Sequence, residues 1–285
     1  MKICIYGNCQ AGVVKDLLLN LSNEFSFIGD SASNIHHITT WENILHNTEI
    51  DYDWVNKNCD IFLYQPIKKQ RGVHSTDYIL PKLRSSMVKV GIPFVFCNWL
   101  WPISMNPNND KNGFNNNYTD VNINCEFSGI DFLKPFSSPV QATEAFFHQD
   151  INFDLNNRLH SDLLRLKKQE ENTDIKISDF IESKYKQELL FYRDVHPTLF
   201  LLKEIAFRVL NFLSISYDRN FDENLLDLNK FTAITGGYQP LSSHSFKELD
   251  LKFSRPSFFK KENELWKGYY ENLIHLFFNV IHLKK

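Results

Sequence analysis

The chain has 285 residues, 43% hydrophobic and 23% charged, with 31 Lys and Arg against 34 Asp and Glu for a formal net charge of -3. This is globular composition with chain enough for a sizeable core, which excludes a disordered tail or a disulfide-stapled miniature fold. A pI near 6.4 argues against a broadly basic nucleic-acid binder, and five cysteines at positions 4, 9, 59, 97 and 125, with no CxxC pair, fit reduced thiols and no zinc site.

Residues 2 to 6 form a β-prone run that ends at Gly7-Asn8. From Gln10 the period becomes helical, with Val13, Val14, Leu17, Leu18 and Leu21 on one face. The chain therefore opens strand, tight turn, helix, with Cys9 in the turn. Residues 25 to 28 are a candidate second strand, and 36 to 58 is polar and ambiguous. Asp60 to Gln65 is the next strand, stopped by Pro66. A helix is expected over Thr76 to Lys89, and Pro93 to Asn98 is an apolar run of the kind buried parallel strands show. The order strand, helix, strand implies a parallel sheet with helices on its faces.

Residues 104 to 125 are Asn-rich, contain Pro107 and Gly113, and read as a long loop. Beyond Pro139 the pattern is mainly helical, over 141 to 148, 155 to 169, 178 to 190 and 197 to 213. In the last of these Leu199, Leu202, Ile205, Ala206, Val209, Leu210 and Leu213 share a face, and Pro197 takes a first-turn position. Residues 218 to 257 are weakly patterned. Glu264 to His282 reads as a terminal helix whose Trp266, Tyr269, Tyr270, Phe277 and Phe278 fit a core or interface more simply than a membrane surface. The greasiest stretch, Leu189 to Ile215, is broken by Arg193, Asp194, His196, Lys203, Glu204 and Arg208, so no transmembrane segment is expected. The first apolar run is too short for a signal peptide, and with unpaired thiols this points to the cytoplasm. The fold class expected is α/β, with a parallel doubly wound sheet in the N-terminal half and a mainly helical C-terminal half. Regions 1–140 and 141–285 are expected to form one continuous unit, and a homo-oligomer stays open.

Two segments can carry chemistry. Cys9 lies between a strand's C-terminal end and a helix N-terminus, where free N–H groups and the helix dipole favour a thiolate and can bind an oxyanion. Gly7 lets the backbone turn there, and Asn8 and Gln10 flank the thiol. A structural cysteine in a tight turn is the alternative. The second segment is Asp194-Val195-His196-Pro197-Thr198, just before a helix. Asp194 could orient the His196 imidazole, which could take a proton from a nucleophile; helix capping by either side chain is the other reading. Gln65 and Asn98 each end an apolar run at the edge where open α/β sheets bind ligands, and either amide could donate to an oxyanion or fix a substrate. Ser75 could bind substrate or act as an N-cap. Lys68, Lys69 and Arg71 form a basic cluster that could hold phosphates or be a solvated loop. Gly236-Gly237 is a turn by default. His36, His37 and His46 make no metal set with any cysteine, and no metal is expected.

In order along the chain, Gly-x-nucleophile after the first strand and Asp-x-His-Pro near the end resemble the SGNH/GDSL hydrolase arrangement, with Cys9 where that family has serine. The chain more closely resembles the WcbI family of polysaccharide-biosynthesis acetyltransferases. The resemblance lies in Ile5 to Ala11 (IYGNCQA), Leu63 to Ile67, Gly72 to Tyr78, Ile177 to Ile181 and Leu190 to Thr198 (LFYRDVHPT). Of these, GNCQA and HPT are the specific parts; beyond about Asp218 the chain resembles nothing named. It departs from the family at Asp194, where members often have Asn. The resemblance implies a capsule or exopolysaccharide pathway, coenzyme A or acetyl-CoA as ligand, and O-acetylation of a sugar acceptor by Cys9 and His196, with Lys68, Lys69 and Arg71 as candidates for the coenzyme's phosphates. An esterase or thioesterase with the same residues, or a non-catalytic ligand-binding protein of the pathway, are the alternative functions.

Overall fold

The computed structural model describes residues 1–21, 34–106, 126–128, 130–217, 239–254 and 265–282. The expected strand at 25 to 28, the Gly236-Gly237 turn and most of the Asn-rich loop lie outside them. By its contacts the chain groups into two compact units, each drawn from several stretches of sequence. One comprises Met1–Phe96, Leu164–Ser183 and Leu190–Gly237; the other comprises Cys97–Leu163, Lys184–Leu189 and Tyr238–Lys285.

The first unit is an α/β layer structure. Its strands β1 (Ile3–Gly7), β2 (Ile35–Thr39), β3 (Ile61–Tyr64) and β4 (Val88–Gly91) form a parallel sheet in the order β2-β1-β3-β4. Every residue of β1 is buried, as expected for an inner parallel strand covered on both faces. Helix α1 (Cys9–Leu21) buries the predicted Val13, Val14, Leu17, Leu18 and Leu21, together with Gln10 and Ala11. It packs on β1 and on α8 (Leu199–Phe212). Cys4, Tyr6 and Phe62 join Val55, Cys59, Ile79 and Leu83 in a second layer, to which α3 (Tyr52–Asn58) and α4 (Thr76–Ile79) contribute. Strand β2 and the short α2 (Thr40–His46) fall in a region whose polar composition hid them.

Four expectations change. The helix expected over Thr76 to Lys89 stops at Ile79, and a single 3-10 turn, Leu80–Lys82, follows. Pro81 supplies no N–H and cannot continue an α-helix. The strand of this unit is therefore Val88–Gly91, and Pro93 to Asn98 is not a strand. Beyond Gly91, glutamine side chains meet the backbone instead of a ladder. Val95 bonds Gln10 through both N–H and C=O, and the Gln169 amide, oriented to fit, lies 3.1 and 3.3 Å from Phe94 O and N. Finally, the helix expected to begin at Pro197 is capped by Thr198, whose hydroxyl accepts from Leu201 N. Pro197 lies before the cap. It belongs to a small antiparallel hairpin of β7 (Phe191–Arg193) and β8 (His196–Pro197), and the helix expected over 178 to 190 is shorter: α7 spans Ser178–Lys184.

In the second unit, α5 (Pro139–His148) starts at the Ser138 cap and packs against the terminal helix Leu265–His282. Tyr270 and Phe277 of that helix are fully buried, and the Tyr270 hydroxyl donates to Pro240 O at 3.0 Å. Of the tail aromatics, Tyr270, Phe277 and Phe278 are thus core and Tyr269 is half-buried. Residues 155–170 form α6, a short antiparallel pair joins β5 (Ser104–Asn106) to β6 (Glu126–Ser128), and the helix Ser243–Glu248 lies in the weakly patterned region. Among the described residues, no helix is long and apolar enough to cross a membrane.

Candidate functional site

The strand order reverses between β1 and β3, and open α/β sheets bind ligands beyond the strand ends at such a switch point. Gly7-Asn8-Cys9 follows β1 there, and Gln65 follows β3. The turn between β1 and α1 is internally bonded. Asn8 N donates to Gln65 Oε1 at 2.8 Å, and the Asn8 side chain accepts from Gln10 N at 2.9 Å, capping α1. Asn8 O accepts from Gly12 N at 3.2 Å. A Cβ on Gly7 would lie on the Ala11 methyl and 2.7 Å from Gln65 Oε1, so the residue there must be glycine for the strand, helix and glutamine to meet.

The Cys9 thiol is partly buried. Burial pushes its pKa up, against the opposing pull of the Gln10 and Cys9 N–H groups. The sequence argument anticipated a helix terminus favouring the thiolate; desolvation outweighs it here.

Gln10 is 3% exposed, and its side chain faces inward. Nε2 donates to Val95 O at 2.7 Å and to Val195 O at 2.9 Å, while Oε1 accepts from Val95 N at 3.2 Å. Val195 immediately precedes His196. A single side chain thus brings the Cys9 turn and the His196 hairpin, distant in sequence, into one neighbourhood of the first unit. With all these polar atoms engaged by the protein, the Gln10 amide is a structural tie.

The hairpin differs from the aspartate–histidine dyad expected. Arg193 and His196 pair across it. The Asp194 carboxylate is buried and receives the Arg193 Nε at 3.4 Å. Neither Asp194 Oδ2 nor His196 Nδ1 has a hydrogen-bond partner among the described residues. In a tight two-residue loop the aspartate turns to its sequence neighbour. Neither side chain caps α8, because Thr198 does. Burial, followed by the charge of Arg193, lowers the His196 pKa to about 4, so its imidazole is neutral at pH 7. Burial raises that of Asp194 against the pull of Arg193.

The remaining candidates separate. Asn98 falls in the second unit, where its N and Nδ2 bond the Asp162 carboxylate at 2.8 and 3.3 Å, and it ends no strand. Ser75 holds the N-cap position of α4 but makes no side-chain capping bond: it is buried, and its hydroxyl donates back to Gly72 O at 2.7 Å. Lys68 and Lys69 are exposed and Arg71 half-buried in the segment after β3. Ile67 N donates to Thr76 Oγ1 at 2.7 Å, and Thr76 N to Ile67 O at 3.1 Å, closing that segment into a loop. Sequence reasoning passed over His37, having weighed it only as a metal ligand. Its ring nitrogen Nε2 lies 3.2 Å from Gly7 O, and a Cβ on Gly12 would meet the ring at 3.1 Å. The signal for it is strand register, which needs β2 to be recognised. No group of three metal-ligating side chains occurs among the described residues.

A family model described as the polysaccharide biosynthesis enzyme WcbI matches residues 2–217. No curated protein matches the chain. A solved structure of WcbI, described as a novel polysaccharide biosynthesis enzyme in a native form without a disulfide bond between coenzyme A and one of its cysteines, is similar with a TM-score of 0.60 and 17% identity. That similarity covers 100% of this chain and 95% of the other, and at this identity it speaks for the fold.

Proposed function

The chain belongs to the WcbI family of polysaccharide biosynthesis enzymes, and we propose that it transfers an acetyl group from acetyl-CoA to a hydroxyl of a surface-polysaccharide precursor. Coenzyme A is named with the similar solved structure, and by that likeness we take it as the donor's carrier here. The observation that carries the reading is the Gln10 tie, which sets Cys9 and His196 one residue each from a shared hydrogen bond.

In the proposed reaction the Cys9 sulfur attacks the thioester carbonyl while His196, neutral at pH 7, takes the thiol proton. The C–S bond to coenzyme A breaks, and its thiolate receives that proton. The acetyl group, now a Cys9 thioester, passes to the sugar hydroxyl, whose proton returns through His196 to the cysteine. Raised thiol and lowered imidazole pKa values disfavour a resting ion pair, so proton transfer accompanies attack. Asn8 and Gln10 N–H groups are engaged in the turn, which leaves the Cys9 N–H, facing its own thiol, as the donor to an oxyanion. Lys68, Lys69 and Arg71 would hold the coenzyme's phosphates.

The same pKa pattern favours a second route without an acyl-enzyme, in which His196 deprotonates the sugar hydroxyl directly and Cys9 only lines the donor site. An esterase or thioesterase would use water in place of the sugar.

The test is coenzyme A release from acetyl-CoA, with and without a sugar acceptor, by wild type, Cys9→Ala and His196→Ala. Acceptor-dependent release that falls roughly 100-fold or more in both variants supports the acyl-enzyme. Loss in His196→Ala alone selects the direct route. Equal release without acceptor makes the protein a hydrolase.

A further inference from the structure

We propose that Gln10 is a positioning residue: its side-chain amide holds the hairpin Phe191–Pro197 at the nucleophile turn and thereby sets the reach of His196. What the pair then does rests on the acetyl-transfer reading; the contact itself does not.

A glutamine amide offers two N–H donors and a carbonyl acceptor. At Gln10 the amide donates to Val95 O and Val195 O and accepts from Val95 N, in a side chain almost wholly removed from solvent. The bonds to Val95 anchor the amide to the segment beyond β4, and the remaining one grips the hairpin. The Val195 carbonyl belongs to the peptide group that continues into His196, and a peptide group is planar and stiff. Fixing its oxygen therefore fixes the start of His196.

The base of the hairpin is held by the buried Phe191 and Pro197 and by Thr198 N, which donates to Leu190 O at 2.8 Å, so the part left to be fixed is its tip. The hairpin's strands span three and two residues with an irregular register, and short isolated hairpins are marginal. Its tip carries Asp194 Oδ2 and His196 Nδ1, neither of which has a partner among the described residues. These atoms would gain partners in water if the tip swung out, so an outside tie must oppose that. Burial and the facing Arg193 charge, which lower the His196 pKa, depend on the tip staying in place.

Histidine titration by carbon-resolved NMR on the full chain tests this, comparing wild type with Gln10→Met, which keeps the side chain's length and loses its donors. The His196 midpoint should rise by at least one unit toward the ordinary value, with the exposed histidines unmoved. kcat for acetyl transfer should fall at least tenfold while KM for acetyl-CoA changes less than twofold. An unchanged His196 midpoint in folded Gln10→Met overturns the proposal. Should that variant not fold, Gln10→Glu keeps the shape but cannot donate as a carboxylate. Hydrogen exchange over residues 190–198 should then quicken at least tenfold, and exchange at the wild-type rate overturns the proposal equally. A wild type that transfers no acetyl fails the reading of the chemistry alone, because titration and exchange report the Gln10 contact whichever reaction the pair performs.

Discussion

The two segments that meet at the candidate site are built on opposite plans. In the β1–α1 turn the polar groups around Cys9 are matched inside the protein: Asn8 N by Gln65, Gln10 N by the Asn8 side chain, Gly12 N by Asn8 O. The β7–β8 hairpin instead leaves Asp194 Oδ2 and His196 Nδ1 without partners among the described residues. Buried polar atoms without partners cost about 1–3 kcal/mol each. One segment is a finished scaffold around a sulfur; the other carries an unmet demand for hydrogen bonds. Under the proposed reaction this suits a nucleophile, which needs fixed geometry, and a proton carrier, which needs a nitrogen not already bonded.

The contrast breaks most readily at Gly7. Gly7→Ala forces its methyl against Ala11 and Gln65, and overpacking of this kind costs about 1–3 kcal/mol. Urea unfolding should show that loss together with slower alkylation of Cys9; wild-type stability would mean the turn is looser than its contacts imply.

Gln65→Leu is gentler. It preserves bulk but strips the acceptor from Asn8 N, and about 1 kcal/mol or slightly more should be lost. Asn8 exchange should quicken while the β7–β8 hairpin stays protected. A hairpin that loosens as well would show that the two plans are not separate.

The pH dependence sharpens the hairpin side. The His196 pKa is lowered from 6.5 to about 4 in the folded chain, so below pH 6.5 the unfolded chain binds a proton the folded one refuses. Its contribution to stability is present above that pH and is lost as pH falls through about 4. Asp194 has the opposite sign, because burial raises its pKa and acidification favours the fold. Between pH 7 and 4.5, wild type should therefore lose more stability than His196→Asn, in which Asp194 is retained. Parallel pH curves for the two proteins would show that the imidazole is not buried in solution.

Much of this was readable along the chain where the pattern is local. The apolar face of α1, the burial of β1 and the terminal helix follow from periodicity, because one element decides them alone. Local signals failed where a distant partner intervened. Pro93 to Asn98 has strand composition, yet its backbone meets Gln10 and, with the amide oriented to fit, Gln169. Asn98 looked like a strand-end ligand and is committed to Asp162. His37 lay in a polar stretch with no pattern and acquires meaning only through its register beside β1.

By itself the sequence determined that Cys9 follows a buried strand and opens a helix, and that His196 precedes another. These are consequences of spacing and of which residues water rejects. Only the tertiary structure decided that the Cys9 thiol is held protonated, that Asp194 turns to Arg193 and not to the imidazole, and that Gln10 spans from one segment to the other. Burial and side-chain hydrogen bonds depend on which parts of the chain come together, and no local period records that.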